Sequence, residues 1–242
     1  LGRKCAFIGQ VAKDQLGDVF THDLQALGVA YETAALEQGA PTARCLVLVS
    51  PDGQRTMNTF LGASHLLEQS MINEAWIADS AILYLEGYLW DPELSRAAMR
   101  RAIDVARAAG RKVAFTLSDA FIIDRHGDDF RQLIEAGMFD ILFANEVEIC
   151  ALAGEQDCEA AIAAIAPKVP LLVVTRGPHG AIAIANGERA EVAAQPIEKV
   201  EDTTGAGDLF AAGFLAGQAE GRNLQDSLKM GAICAAEIIS QV

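Results

Sequence analysis

Positive charge is in short supply in this chain: 19 lysines and arginines face 33 aspartates and glutamates, a formal net charge of −14. That balance removes the basic footprint on which nucleic-acid binding depends, and with it any pull toward an anionic membrane surface. A mononucleotide is not excluded, because backbone N–H groups and a metal ion can hold phosphate locally. No apolar run approaches the roughly 20 residues that a spanning helix needs. No signal-peptide pattern opens the chain, so a cytoplasmic location is expected. Cysteines are few and odd in number: Cys5, Cys45, Cys150, Cys158 and Cys234. None forms a CxxC pair and most sit in apolar runs, the pattern of buried free thiols in a reducing compartment. His22, His65, His126 and His179 show no metal-ligand spacing, and HExxH is absent. The phosphate cradles GxxxxGK[ST] and GxGxxG are missing too, which excludes a P-loop enzyme and a protein kinase.

What is present is a globular composition, 51% hydrophobic and 21% charged over 242 residues, enough for one α/β domain with an appendage. Short apolar strand candidates at Lys4–Gly9, Ala81–Glu86, Val113–Leu117, Ile141–Ala144 and Leu171–Thr175 alternate with helix-length segments. One of these, "DPELSRAAMRRAIDVARAAGRK", repeats its apolar positions at three and four residues, opened by Asp91-Pro92 and closed by Gly110. The alternation predicts a mostly parallel sheet covered on both faces. Residues 29–62 break it, because "SPDGQ" separates two strand-like runs there, with Gly53 suited to the left-handed position of a hairpin turn. Such an insert reads as a lid, a dimer surface or a plain sheet edge. Both ends of the chain read as interrupted elements, and flanking residues are expected.

Three stretches carry polar groups suited to chemistry. In "EDTTGAGDLFAAGF", Gly205-Ala206-Gly207 present almost bare backbone, and a helix starting near Ala206 points its positive end at the same spot. Asp208 falls in the first helical turn, where it either accepts a proton from an attacking hydroxyl or merely complements the helix dipole. In "LFANEVEIC", Asn145 ends an apolar strand and Glu148 follows three residues later. They could order hydrated Mg²⁺, or could simply form a capping box. In "LLVVTRGPHGAIAIA", Thr175, Arg176 and Gly177 at a strand end suit a nucleotide phosphate and equally suit a hairpin.

Taken together and in this order, "DTTGAGDLFAAGF", "NEVE" and "TRGPHG" resemble the ribokinase-like (pfkB) family of carbohydrate and nucleoside kinases, over essentially the whole chain. The resemblance implies a three-layer α/β/α fold with a mostly parallel central sheet, a single kinase domain over 1–242, and a small β-lid to which 29–62 contribute. It implies Asp208 as the catalytic base, with the N–H groups of Gly205, Ala206, Gly207 and Asp208 as the anion hole. ATP and Mg²⁺ are the implied cofactors. Asn145 and Glu148 would organise Mg²⁺ and phosphate through water, and Thr175, Arg176 and Gly177 would lie on the nucleotide. Asp202 and Thr204 would flank a K⁺ ion in potassium-activated members.

"AFTLSDAF" followed by "DILFANEVE" resembles the adenosine kinase branch. Thr116 and Ser118 occupy a strand end where sugar-kinase branches usually carry an Asp-x-Asn-like pattern, and Leu89 and Phe121 fall where the adenosine branch lines its nucleoside pocket. The expectation is transfer of the γ-phosphoryl group of ATP to a primary hydroxyl of a nucleoside or sugar. A free-sugar kinase for ribose, fructose or a keto-deoxy acid is the alternative. A non-catalytic ligand-binding protein and a purely structural dimerisation module are more distant ones. A homodimer through the lid is a further expectation.

Overall fold

The computed structural model describes residues 2–50 and 55–240. Six strands form one sheet in sequential order: β3 (Ile82–Glu86), β4 (Lys112–Thr116), β5 (Ile141–Asn145), β6 (Leu171–Thr175), β7 (Ala181–Ala185) and β8 (Glu188–Val192). The pairings from β3 to β6 are parallel, while β6–β7 and β7–β8 are antiparallel. The parallel strands are near-continuous apolar runs because helices bury both of their faces.

Alternation along the strands divides the core in two. Val113, Phe115, Leu142, Ala144, Leu172 and Val174 join the core under α3 (Glu93–Ala108), α4 (Ala120–Glu135), α5 (Glu146–Ala153) and α6 (Cys158–Ile165). Ala114, Ile141, Phe143, Leu171 and Val173 face α7 (Ala206–Ala219) and α8 (Leu224–Ile239) instead. The result is the expected three-layer arrangement. Pro92 caps α3 and the left-handed Gly110 follows its end, as the sequence predicts.

Residues 29–62 hold a separate antiparallel pair, β1 (Arg44–Val49) and β2 (Arg55–Phe60), so this insert is not an edge of the main sheet. Its expected turn and Gly53 lie outside the described residues. The strand expected at Lys4–Gly9 does not form. Ala6 makes one parallel bridge to Ala30, and a second bridge, Ala12 to Leu36, keeps the same offset. Between the bridges side chains replace the ladder: Gln10 Nε2 donates to the carbonyls of Val11 and Ala34 at 2.7 and 2.9 Å, and Tyr31 Oη donates to Gly9 O at 3.1 Å. The cysteines are free, but the expectation of burial is wrong. Cys5 is exposed on the same irregular segment, and Cys45, Cys150, Cys158 and Cys234 are half-buried.

The α7–α8 layer depends on missing side chains. A Cβ at Gly213 would stand 2.6 Å from Met230 O, at Gly217 2.7 Å from Ser227 Oγ, and at Gly231 2.8 Å from Phe210 O. Such helix glycines each sacrifice about 1 kcal/mol of propensity relative to alanine. The compensation is backbone-to-backbone approach, which seats Phe210 and Phe214 on the sheet. Gly213→Ala and Gly217→Ala should therefore destabilise the protein by about 1–3 kcal/mol despite the better helix former. Thermal melts should show the loss, and an unchanged or raised Tm would contradict the packing account.

Candidate active site

Each of the four parallel strands ends on a polar residue: Glu86, Thr116, Asn145 and Thr175. By alternation all four share the face of Tyr84, Ala114, Phe143 and Val173, the face that looks toward α7. Ligands of α/β sheets bind outside the carboxyl ends of such strands. The helix across from this row starts there as well. Gly205 is the N-cap of α7 in a left-handed conformation (φ +77°), and a side chain at that φ would be strained. The chain enters from 201–204, turns at Gly205 and aims the first turn of α7 at the strand ends.

The donors at this helix start are partly free. Ala206 N–H turns back onto Thr203 O at 3.3 Å. The N–H groups of Gly205, Gly207 and Asp208 have no acceptor among the described residues. Of the four expected donors, three are thus open, and a Cβ at Gly207 would meet nothing within 4 Å. Bare N–H groups, the positive end of the helix dipole and open space are together the features by which a helix start can hold an anion.

Asp208 lies exposed in the first turn, yet the protein around it partly desolvates its carboxyl and pushes it above the usual carboxylate range, opposed by the Arg55 guanidinium. Glu86 is pushed up as well, first by burial and then by the Asp208 charge. Of these two carboxyls, only Asp208 has the Arg55 guanidinium opposing its rise. Tyr84, stacked edge-on against Phe143 at 6.3 Å, is also pushed upward, by burial first and then by Glu86 and Asp208. Arg55 begins β2 of the separate β1–β2 pair. Its Nη1 donates to Thr203 Oγ1 at 2.7 Å, joining β2 to the segment that enters the anion site.

The expected Asn145–Glu148 pair is a capping box in full. Asn145 Oδ1 accepts from Glu148 N at 2.8 Å, Glu148 Oε2 accepts from Asn145 N at 3.0 Å, and Asn145 Nδ2 donates to Glu148 Oε1 at 2.7 Å. Burial nevertheless pushes Glu148 up to about 7, the Asn145 bond opposing and Asp119 adding to the rise. A cap that strained electrostatically also fits a cation. Thr175 pairs with Asn145 across β5–β6, so these two expected residues meet in the sheet. Arg176 turns away from the strand ends: Nη2 donates to Glu191 Oε2 at 3.1 Å and to His179 O at 3.3 Å, bracing the β6–β7 hairpin. Gly177 takes a left-handed φ of +52° in that turn. Asp202 Oδ1 accepts from Thr204 N at 2.8 Å and Oγ1 at 2.7 Å, leaving Oδ2 open among the described residues. Leu89 packs on the core beneath α3 and α4, whereas its neighbour Tyr88 and Phe121 stand open, their rings 6.1 Å apart.

Sequence reasoning missed Glu86, Tyr84, Tyr88 and Arg55. Glu86 carried a usable signal, since it ends "ILYLE" as Asn145 ends "ILFAN". Arg55 carried none, because its partner lies 148 residues away.

The geometry agrees with the comparisons. The description "pfkB family carbohydrate kinase" matches residues 1–242. The chain belongs to this family. It is a phosphotransferase fold acting on hydroxyl groups, and its relatives differ in acceptor. Adenosine kinase from Sinorhizobium meliloti superposes with a TM-score of 0.97 at 43% identity, covering 100% of this chain and 74% of that one. A probable sugar kinase protein from Rhizobium etli gives 0.96, also at 43% identity, covering 100% and 73%. Fructokinase-2 of Solanum lycopersicum is 28% identical over 221 residues, 89% of this chain and 67% of its own length. No described helix is long and apolar enough to cross a membrane.

Glu148 gives the site a measurable pH signature. Its folded value, about 7, lies above the reference 4.5, so its contribution to stability is full below about 4.5 and is lost as pH rises through 7. In metal-free protein, Tm should fall between about pH 5 and 7.5 by the equivalent of roughly 2–3 kcal/mol. Glu148→Gln, which keeps an acceptor for Asn145 N, should flatten that slope; an unaltered slope would contradict the assignment.

Proposed function

We propose that this kinase transfers the γ-phosphoryl group of ATP to a primary hydroxyl of a nucleoside, with a free sugar as the second reading. The observation that carries the phosphoryl-transfer site is the start of α7: three open N–H groups and a carboxylate within one turn. The N–H groups of Gly205, Gly207 and Asp208 cradle the transferred group, and the Asp208 carboxylate accepts the proton of the attacking hydroxyl. Asp208 suits this role because partial desolvation raises its proton affinity, with the Arg55 guanidinium opposing the rise.

The residues present fit Mg²⁺ and ATP. Among the described residues no three His, Cys, Asp or Glu form a metal cage. Mg²⁺ is instead commonly held by one or two carboxylates with most of its waters kept. Glu148 and Asn145 would hold it through water, and bound Mg²⁺ supplies charge neutralisation for the phosphates. Thr175 and Gly177 would border the nucleotide, with Arg176 acting through the hairpin it braces. For a monovalent cation, Asp202 Oδ2 beside Thr204 is the available oxygen.

The nucleoside reading rests on Tyr88 and Phe121, two open rings beside the site, and on 43% identity to an adenosine kinase. The equal identity to a sugar kinase protein keeps the sugar in second place. The lid supports closure and association together. Arg55, Val47, Val49 and Met57 share the face that reaches Thr203, Leu46, Leu48 and Phe60 lie on the other, and the apolar residues of both faces are exposed, Leu46 and Leu48 most, at 67% and 68%. A second copy meeting that outer face would cover them and make the homodimer.

The test is phosphoryl transfer from ATP to adenosine, guanosine, inosine, ribose and fructose, with Asp208→Asn beside the parent. Adenosine should be the preferred acceptor, and Asp208→Asn should lower turnover by about 10²–10⁴-fold with the melt unchanged. An active Asn variant would sink the base assignment, and transfer to sugars alone would overturn the nucleoside reading.

A further inference from the structure

Tyr88 and Phe121 are 46% and 44% exposed. They come from different elements. Tyr88 lies in the short 3-10 turn Gly87–Trp90 that follows β3, and Phe121 in the first turn of α4. Their 6.1 Å spacing therefore needs something to fix it.

Asp91 ends the Tyr88 turn and is gripped from α4 at both oxygens. Arg125 Nη1 donates to Oδ2 at 2.7 Å, and His126 Nε2 lies 3.0 Å from Oδ1. On the other side of the imidazole, Arg96 Nη1 stands 3.4 Å from Nδ1. Arginine only donates, so Nδ1 accepts and Nε2 carries the proton toward Asp91. Arg125 also stands over the Phe121 ring, 5.3 Å from its centroid. One connected set of side chains thus ties the turn carrying Tyr88 to the helix carrying Phe121, and none of it belongs to the phosphoryl-transfer residues.

We propose that Asp91, held by Arg125 and His126, is a positioning residue that sets Tyr88 and Phe121 as one platform for a planar aromatic group on the acceptor. The platform stands at the carboxyl end of the sheet, because Tyr88 lies in the turn that follows Glu86 at the end of β3 and Phe121 opens the helix that follows β4. A cation behind Phe121 and an open ring beside it favour stacking of a nucleobase and do nothing for a bare sugar. The inference rests on the nucleoside reading of the acceptor.

The experiment is calorimetric binding of adenosine to the full chain, with Asp91→Ala, Arg125→Leu and Tyr88→Leu, alongside steady-state phosphorylation of adenosine and fructose. Each variant should weaken adenosine binding by about three- to tenfold and raise its KM, and in Asp91→Ala and Arg125→Leu kcat and the fructose KM should stay in place. Proton NMR of the Tyr88 ring gives a second reading, since Asp91→Ala and Arg125→Leu should move its Phe121-induced shift toward the free-tyrosine position. Adenosine binding equal to the parent's in Asp91→Ala and Arg125→Leu, or unmoved ring shifts, overturns the platform alone. A parent chain that binds no adenosine overturns the nucleoside reading together with it.

Discussion

The proposed chemistry depends on one backbone turn, the left-handed Gly205 that starts α7. It aims a helix N-terminus, three open N–H groups and Asp208 at a row of polar strand ends. The glycines at 213, 217 and 231 give that turn its footing, because they let α7 and α8 approach closely enough to seat Phe214 against Phe143, 5.7 Å between centroids. Stability and chemistry thus share one layer of the fold, and the same small residues that weaken the helix locally make its position definite.

Around that turn, charge is distributed unevenly and to a purpose. Net charge is strongly negative, yet the α3–α4 face is rich in arginine, and its guanidinium groups are spent on neighbours such as Asp91, Asp129, Asp140 and Glu74. The one arginine that reaches the anion site from the lid is Arg55, through Thr203. A single cation delivered by a separate two-stranded sheet is well suited to link lid position to the ionisation of Asp208. Glu86, half-buried and without a hydrogen-bond partner among the described residues, is pushed up by desolvation and by the Asp208 charge.

Much of this was legible in the sequence, and the reasons for the rest are physical. The start of α7, the strand ends at Asn145 and Thr175 and the lid hairpin all follow from local rules: glycine before a small-residue helix, apolar runs ending on polar groups, two runs around a turn. The Asn145–Glu148 spacing supported both a cap and a cation, and the structure shows the cap with a carboxyl held near neutrality. The hairpin from β7 to β8 also had a signal, Asn186-Gly187, both with positive φ. The segment at Lys4–Gly9 had the right composition and still failed as a strand, since a ladder needs a continuous partner and side chains took its place. Arg55, Tyr88 and the Asp91 grip belong to contacts between distant segments, which no local pattern encodes.

The central claim is that the open amides at the head of α7 hold the phosphoryl group. The most direct measurement is the ¹H–¹⁵N shift of the Gly205, Gly207 and Asp208 amides as MgADP with aluminium fluoride, a mimic of the transferring phosphoryl, is titrated in the presence of the acceptor. Those three signals should move downfield together and further than Ala206, whose N–H is already engaged by Thr203. Saturating binding with the three amides unmoved would place phosphoryl transfer elsewhere and contradict the account.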